Sequence, residues 1–261
     1  MASMERKNTR VHQEAVRLNK FLAMAGVGSR RKNDELILSG VVRINGKVVT
    51  ELGTKVDVEK DHVSVNGMET ILEDRKVYIL LNKPKDTITT MSDEKGRATV
   101  MQYVRTKQRV FPIGRLDRNT TGILLFTNDG ELANALIHPK FEVEKMYRAT
   151  LARPVGDDDI KKLRKGVRLD DGLAKVKSVE IIDGSKRKKV LLTLQEGRNR
   201  EVRRIFEAID HDVRQLDRVM FAGLTPLGVP RGEWRFLSRE EIRYLRQLTG
   251  LEKGINELLK K

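Results

Sequence analysis

The feature that most constrains this chain is an uncharged run, Gly122-Ile123-Leu124-Leu125-Phe126. It is entered through a polar, turn-forming stretch, Gly114-Arg115-Leu116-Asp117-Arg118-Asn119-Thr120-Thr121. An apolar segment of that length, bounded by turn residues, reads as a buried strand, so a sheet has to be built around it. Gly114 and Gly122 permit sharp turning and the close approach of a second backbone. Asp117 lies between Arg115 and Arg118, and neighbouring cations favour the ionised carboxylate. An ionised carboxylate at a turn beside a rigid strand is a candidate nucleophile or base. Taken alone, an Asp before Asn-Thr-Thr is more often a turn or a helix cap.

Charge narrows the partners. Lys and Arg number 52 against 37 Asp and Glu, a net +15 with a pI near 10.0. Repulsion within so basic a chain disfavours the compact state, so the excess points to a polyanion: RNA, DNA or an anionic membrane. Hydrophobic residues make up 39% of the 261, enough for a core in one large domain or two unequal ones. There are no cysteines, which excludes a disulfide framework, a thiol nucleophile and cysteine-ligated zinc. His12, His62, His138 and His211 do not cluster as ligands, so no metal site is expected. The basic start, Met1 to Arg10, has no apolar segment of a secretory signal, and no run is long enough to span a membrane. A cytoplasmic protein is expected.

Residues 1–15 read as a basic tail. Leu18, Phe21, Leu22 and Ala25 recur at helical spacing up to Gly26, and Ser29 is placed to cap a second helix that stops at Gly40. Val41 to Val49 reads as two short strands about Asn45-Gly46, and residues 62–67 as another. Residues 67–75 are expected to be a linker. Val77 to Asn82 is an apolar strand closed by Lys83-Pro84; strands are also expected over 145–151, 190–194 and 213–221. Asp157-Asp158-Asp159 opens a helix at its positive dipole end, and Ser238-Arg239-Glu240-Glu241 is a capping box for a last helix reaching Leu248. Arg200, Arg203 and Arg204, at i, i+3 and i+4, would share one helical face and read as a phosphate-binding surface.

Several stretches carry a family resemblance. Residues 16–66 resemble the S4 RNA-binding domain, with Arg17, Asn19, Lys20, Ser29, Arg30, Arg31 and Lys32 matching its basic helical face. The run from Gly114 to Gly130 resembles the central motif of RNA pseudouridine synthases. Val77 to Pro84 resembles their first motif, and Gln195 to Phe206 their third. The likeness spans about 16–248 and is nearest to the bacterial large-subunit ribosomal RNA enzymes of the B type, in the same branch as the small-subunit enzyme.

That resemblance implies an α+β catalytic domain at 76–248 with a mixed, mostly antiparallel sheet, preceded by the small S4-like domain and followed by a tail at 249–261. It implies Asp117 as the catalytic carboxylate, Tyr147 stacking on the target base, and Arg203 supplying a guanidinium to Asp117. Arg115 would enter the RNA stack as the base is extruded. Arg198, Arg200 and Arg204 would contact RNA. Leu194 would form an apolar wall, with Lys83 and Pro84 as architecture beneath it. The substrate implied is ribosomal RNA, 23S or a pre-ribosomal particle, met by a monomer. No cofactor, metal or membrane is expected. Three rival readings remain: a small-subunit (16S) ribosomal RNA pseudouridine synthase, a non-catalytic S4-type RNA-binding or ribosome-assembly factor, and a glycosidase pairing Asp117 with Asp129.

Overall fold

The structure is a computed structural model and describes residues 15–72 and 75–252. Apart from Ala15, the expected basic tail lies outside the described residues, as does 253–261. The chain divides after residue 74 into two compact units.

The first unit runs β1 (Val16–Arg17), α1 (Leu18–Met24), α2 (Arg30–Leu38), β2 (Val42–Ile44), β3 (Lys47–Val48), β4 (Lys55–Val56), β5 (Val63–Val65) and β6 (Met68–Glu69). Leu18, Phe21, Leu22 and Ile37 from the helices pack on Val42, Val56, Val63 and Val65. Ser29 caps α2 by accepting from the Lys32 N–H at 3.2 Å. The expected linker starts too early: Met68 and Glu69 pair with Val65 and Ser64, and Thr70 N–H donates to the Val63 carbonyl at 2.8 Å. Asn66 and Gly67, both at positive φ, make the two-residue turn that returns this strand. Met68 and Glu69 are exposed, so the edge strand leaves no apolar alternation in the sequence.

The second unit contains β7 (Tyr78–Lys83), β8 (Phe111–Pro112), β9 (Thr120–Thr127), α3 (Gly130–Ile137), β10 (Lys145–Leu151), α4 (Asp157–Lys165), β11 (Val167–Leu169), β12 (Gly172–Ala174), β13 (Ser178–Ile181), β14 (Lys189–Leu194), α5 (Glu201–Glu207), β15 (Val213–Phe221), β16 (Trp234–Phe236) and α6 (Arg239–Leu248). Its main sheet has the order β13-β14-β10-β15-β9-β7-β16, with β8 also on β9. Every pair is antiparallel except β15 with β9. The apolar run of β9 is central and covered on both faces. Ile123 and Leu125 join Tyr78 and Leu80 in one core layer, and Leu124 and Phe126 join Ile79 and Leu81 in the other.

The expected C-terminal tail also starts too early, because Thr249 is buried and Leu251 N–H donates to the Arg246 carbonyl at 2.8 Å. Among the described residues no helix is long and apolar enough to cross a membrane.

Candidate active site

The loop before β9 is held by its backbone. Lys83 is fully buried, and its Nζ donates to the carbonyls of Pro84, Asp117, Arg118 and Thr120 at 2.8–3.2 Å. Thr89 grips Leu116 twice, its hydroxyl donating to the carbonyl at 2.8 Å and accepting from the N–H at 3.2 Å. Thr87 N–H donates to the Arg118 carbonyl at 3.2 Å. Gly122, at φ +106°, lets β9 lie against β15; a Cβ there would sit 2.2 Å from the Arg218 carbonyl oxygen. Burial pushes Lys83 down to about 8, and the Asp117 carboxylate opposes that shift.

Side chains of this pinned loop remain accessible. Asp117 keeps 38% of its side-chain surface exposed. The flanking arginines do not hold it: Arg118 pairs with Asp86 at 2.6 Å, and Arg115 is exposed with no ion pair among the described residues. The guanidinium beside Asp117 belongs to Arg200, at 3.9 Å.

That corrects the expectation for Arg203, whose Nη1 donates to the Val213 carbonyl at 2.8 Å. Nor do the three arginines share a face. Helix α5 starts at Glu201, and Arg200 precedes it in the left-handed region at φ +47°, so its side chain leaves the helical register. Arg204 pairs with Asp170 and Asp171 at 2.9 and 2.7 Å, and Asp171 holds its guanidinium above the ordinary arginine value. Arg198 is taken up by Glu196 at 2.7 Å and Asp171 at 3.2 Å. Arg198 and Arg204 therefore tie α5 to the β11–β12 hairpin instead of standing free for RNA.

Tyr147 is half-buried on β10, at a register shift against β15 that falls between Met146 and Tyr147. Such an irregularity re-aims side chains beside sites. With Ile113, Gly114 and Arg115, Tyr147 lines a cavity of about 290 Å³. Leu194 is sealed in the core with Leu192 and Val202, so it offers no open wall. Pro84 is half-buried, and its carbonyl serves the Lys83 clamp.

In the first unit Arg17, Lys20, Arg30, Arg31 and Lys32 are exposed and enter no ion pair among the described residues. Asn19 and Ser29 are structural. Asn19 Nδ2 donates to Asp34 at 2.8 Å, and the Ser29 hydroxyl is spent on the α2 cap. The fully buried Asn33, missed in the sequence, binds the carbonyls of Asn19 and Gly28.

The paired-carboxylate reading fails. Asp129 lies beyond the far end of β9 from Asp117, buried, with Tyr78 and Arg246 both at 2.8 Å and the α3 N-terminus on its other oxygen. Among the described residues no group of His, Asp or Glu is arranged to hold a metal.

Two cations of the cavity wall were also missed. Lys145 and Arg218 are 8% and 3% exposed. Their only sequence signal was a charge inside an expected strand.

Comparison with known proteins agrees with this architecture. Residues 77–208 match the family model for RNA pseudouridylate synthase, and residues 16–63 match that for the S4 domain. The chain is 45% identical over 236 residues to a Bacillus subtilis protein named ribosomal large subunit pseudouridine synthase B, covering 89% of this chain and 96% of that one. It is 42% identical to the Haemophilus influenzae protein of the same name, over 91% of this chain and 69% of that one. A crystal structure of a pseudouridylate synthase superposes with a TM-score of 0.64 at 29% identity, over 88% of this chain and 99% of that one. Matches of this extent, on a fold with the central motif at the loop entering β9, make the chain a member of the RNA pseudouridine synthase family with an S4 domain ahead of the catalytic one.

Proposed function

We propose that this chain isomerises a uridine of large-subunit (23S) ribosomal RNA to pseudouridine, with Asp117 as the catalytic carboxylate. The names of the Bacillus subtilis and Haemophilus influenzae relatives support that substrate. The observation that carries the role of Asp117 is its position: a half-exposed carboxylate on a loop whose backbone is clamped by a buried lysine. The reaction breaks the C1′–N1 bond, turns the uracil, and joins C5 to C1′. N1 gains a proton and C5 releases its hydrogen to solvent, so atoms balance without a cofactor. Asp117 acts at C1′ as nucleophile or takes the 2′ proton as base.

Substrate covering the site would raise the cost of the Asp117 charge, and Arg200 offsets that by staying beside it. Tyr147 stacks on the uracil, and Arg115, exposed and lining the same cavity, fills the gap left in the RNA stack. Extrusion costs a few kcal/mol, which the exposed cations of the S4 unit help to offset. The protein works as a monomer in the cytoplasm.

The test is Asp117→Asn assayed on unmodified large-subunit RNA by release of hydrogen from C5. Turnover should vanish while RNA affinity stays within about threefold, since Asn keeps the side chain's size and removes only its charge. Substantial turnover by that variant would overturn the assignment. Mapping pseudouridines in large-subunit RNA with and without the gene should show one site lost.

A further inference from the structure

The strongest feature outside the Asp117–Arg200 pair is the wall of the 290 Å³ cavity, where two buried cations, Lys145 and Arg218, stand together beside Tyr147. We propose that this wall is an anion subsite that takes a backbone phosphate of the RNA next to the extruded uridine. The inference rests on the reading of the chain as a ribosomal RNA pseudouridine synthase.

The donor inventory carries it. Lys145 Nζ gives two of its three N–H groups to the carbonyls of Val143 and Gln195, both at 3.1 Å, which leaves one over. Arg218 spends Nε on the Ile123 carbonyl at 2.9 Å, and its buried Nη2 has no partner among the described residues. The Phe221 ring, 4.7 Å from its Cζ, and the Ile123 contact fix the fork in place. Unpaired buried donors are rare, and a guanidinium is suited to phosphate oxygens.

Acceptors on the same wall are scarce. Glu196 is the one carboxylate lining the cavity and its Oε2 is engaged by Arg198 at 2.7 Å, against the four cations Arg115, Lys145, Arg198 and Arg218. A uracil edge presents an N3–H between two carbonyls and needs an acceptor between donors. A phosphate needs donors only. Burial, with Arg218 beside it, pushes Lys145 down to about 8 against the pull of Glu201 and Glu196, and an anion between the two cations relieves that strain on the charged form. Gly114 and Arg115, three and two residues before Asp117 in the chain, also line the cavity. A phosphate held there would fix the backbone while its base is stacked on Tyr147.

The test measures binding of an unmodified large-subunit RNA transcript between 50 and 300 mM salt for the full chain, Lys145→Gln and Lys145→Arg. Loss of one phosphate contact lowers the slope of log affinity against log salt by about 0.7–0.9, and the Gln variant should show that drop with a three- to tenfold loss of affinity. The Arg variant should keep the slope. Should Lys145→Gln not fold, the unaltered protein is titrated with short RNAs in which single phosphates near the modified uridine are neutral methylphosphonates. One position should then weaken binding about tenfold.

Slope and affinity unchanged in Lys145→Gln, or no sensitive position in the methylphosphonate series, would overturn the subsite. A binding change only with free phosphate, absent with RNA, would overturn it too. Isomerisation is scored separately. A protein that makes no pseudouridine but shows the slope change loses the functional reading, whereas normal turnover with an unchanged slope removes the subsite alone.

Discussion

Replacing Arg200 tests the corrected geometry most directly, because the sequence points to Arg203 and the structure to Arg200. The Arg200 guanidinium lies 3.9 Å from Asp117, and both side chains are open to water, 51% and 38% exposed. In that setting the pair is worth ~1 kcal/mol, as two unit charges at this distance have in bulk water, and ~4 kcal/mol once RNA excludes solvent and the effective dielectric falls to ~20. The difference of ~3 kcal/mol is a factor on the order of 100 in rate. Arg200→Gln should therefore melt within a degree or two of the unaltered protein and lose about 100-fold in kcat.

Arg203→Gln should do the reverse. It removes the charged hydrogen bond from α5 to the Val213 carbonyl, worth about 1.5–3 kcal/mol, and lowers the melting temperature while folded molecules keep their turnover. Single-turnover release of hydrogen from C5, beside thermal melts of both variants, separates the two. A folded but inactive Arg203→Gln together with an active Arg200→Gln would refute the assignment.

Three further outcomes follow from the packing. Lys83→Met removes the clamp but also a buried charge whose pKa burial depresses to about 8, so stability should change little while kcat falls on the order of 100-fold from a displaced Asp117; unchanged single-turnover rates would refute this. Burial depresses both Lys83 and Lys145 to about 8, so between pH 8 and 10.5 the unfolded chain binds more protons than the folded one and stability rises with pH. Denaturation midpoints at pH 7.5 and 9.5 should show that rise, and it should shrink in Lys145→Gln. Gly122→Ala drives a Cβ to 2.2 Å from the Arg218 carbonyl oxygen and should cost at least about 4 kcal/mol, seen as a collapse of the urea midpoint.

Much of the fold was legible because its signals are local. The Asn45-Gly46 turn, the Ser29 cap, the Ser238–Glu241 box and the continuous apolar runs of β7 and β9 each declare an element within a few residues. Strand β6 and the β11–β12 hairpin were missed because they are short and half-exposed, so neither shows apolar alternation. For the site, Asp117 and Tyr147 come from a motif and a resemblance, but the partner of Asp117 is a matter of tertiary direction. One left-handed residue at Arg200 redirects a side chain that a helical wheel places with Arg203 and Arg204. Lys145 and Arg218 were hidden for another reason: Lys145 opens its strand and Arg218 lies in a strand that also carries Arg214 and Asp217, so both read as exposed charges, and only their burial reveals them as a pair.

These cases share one physical division of labour. The loop at Asp117 is fixed largely through main-chain groups, with the buried Leu116 side chain and the Arg118–Asp86 pair beside them: Lys83 takes its carbonyls, Thr89 takes both groups of Leu116, and Gly122 seats the following strand on the Arg218 backbone. Backbone anchoring leaves the side chains of Arg115, Asp117 and Asn119 uncommitted to holding the fold. A loop pinned by its own side chains would have to release them to bind RNA, and it would lose its geometry at the moment of reaction. Placing a charged lysine under the loop carries a desolvation cost, but it holds the carboxylate's position without covering it, and preorganised position is worth more to a carboxylate reagent than an extra surface contact. Substitutions beneath the loop should therefore change rate far more than RNA affinity, and those on its surface should change both.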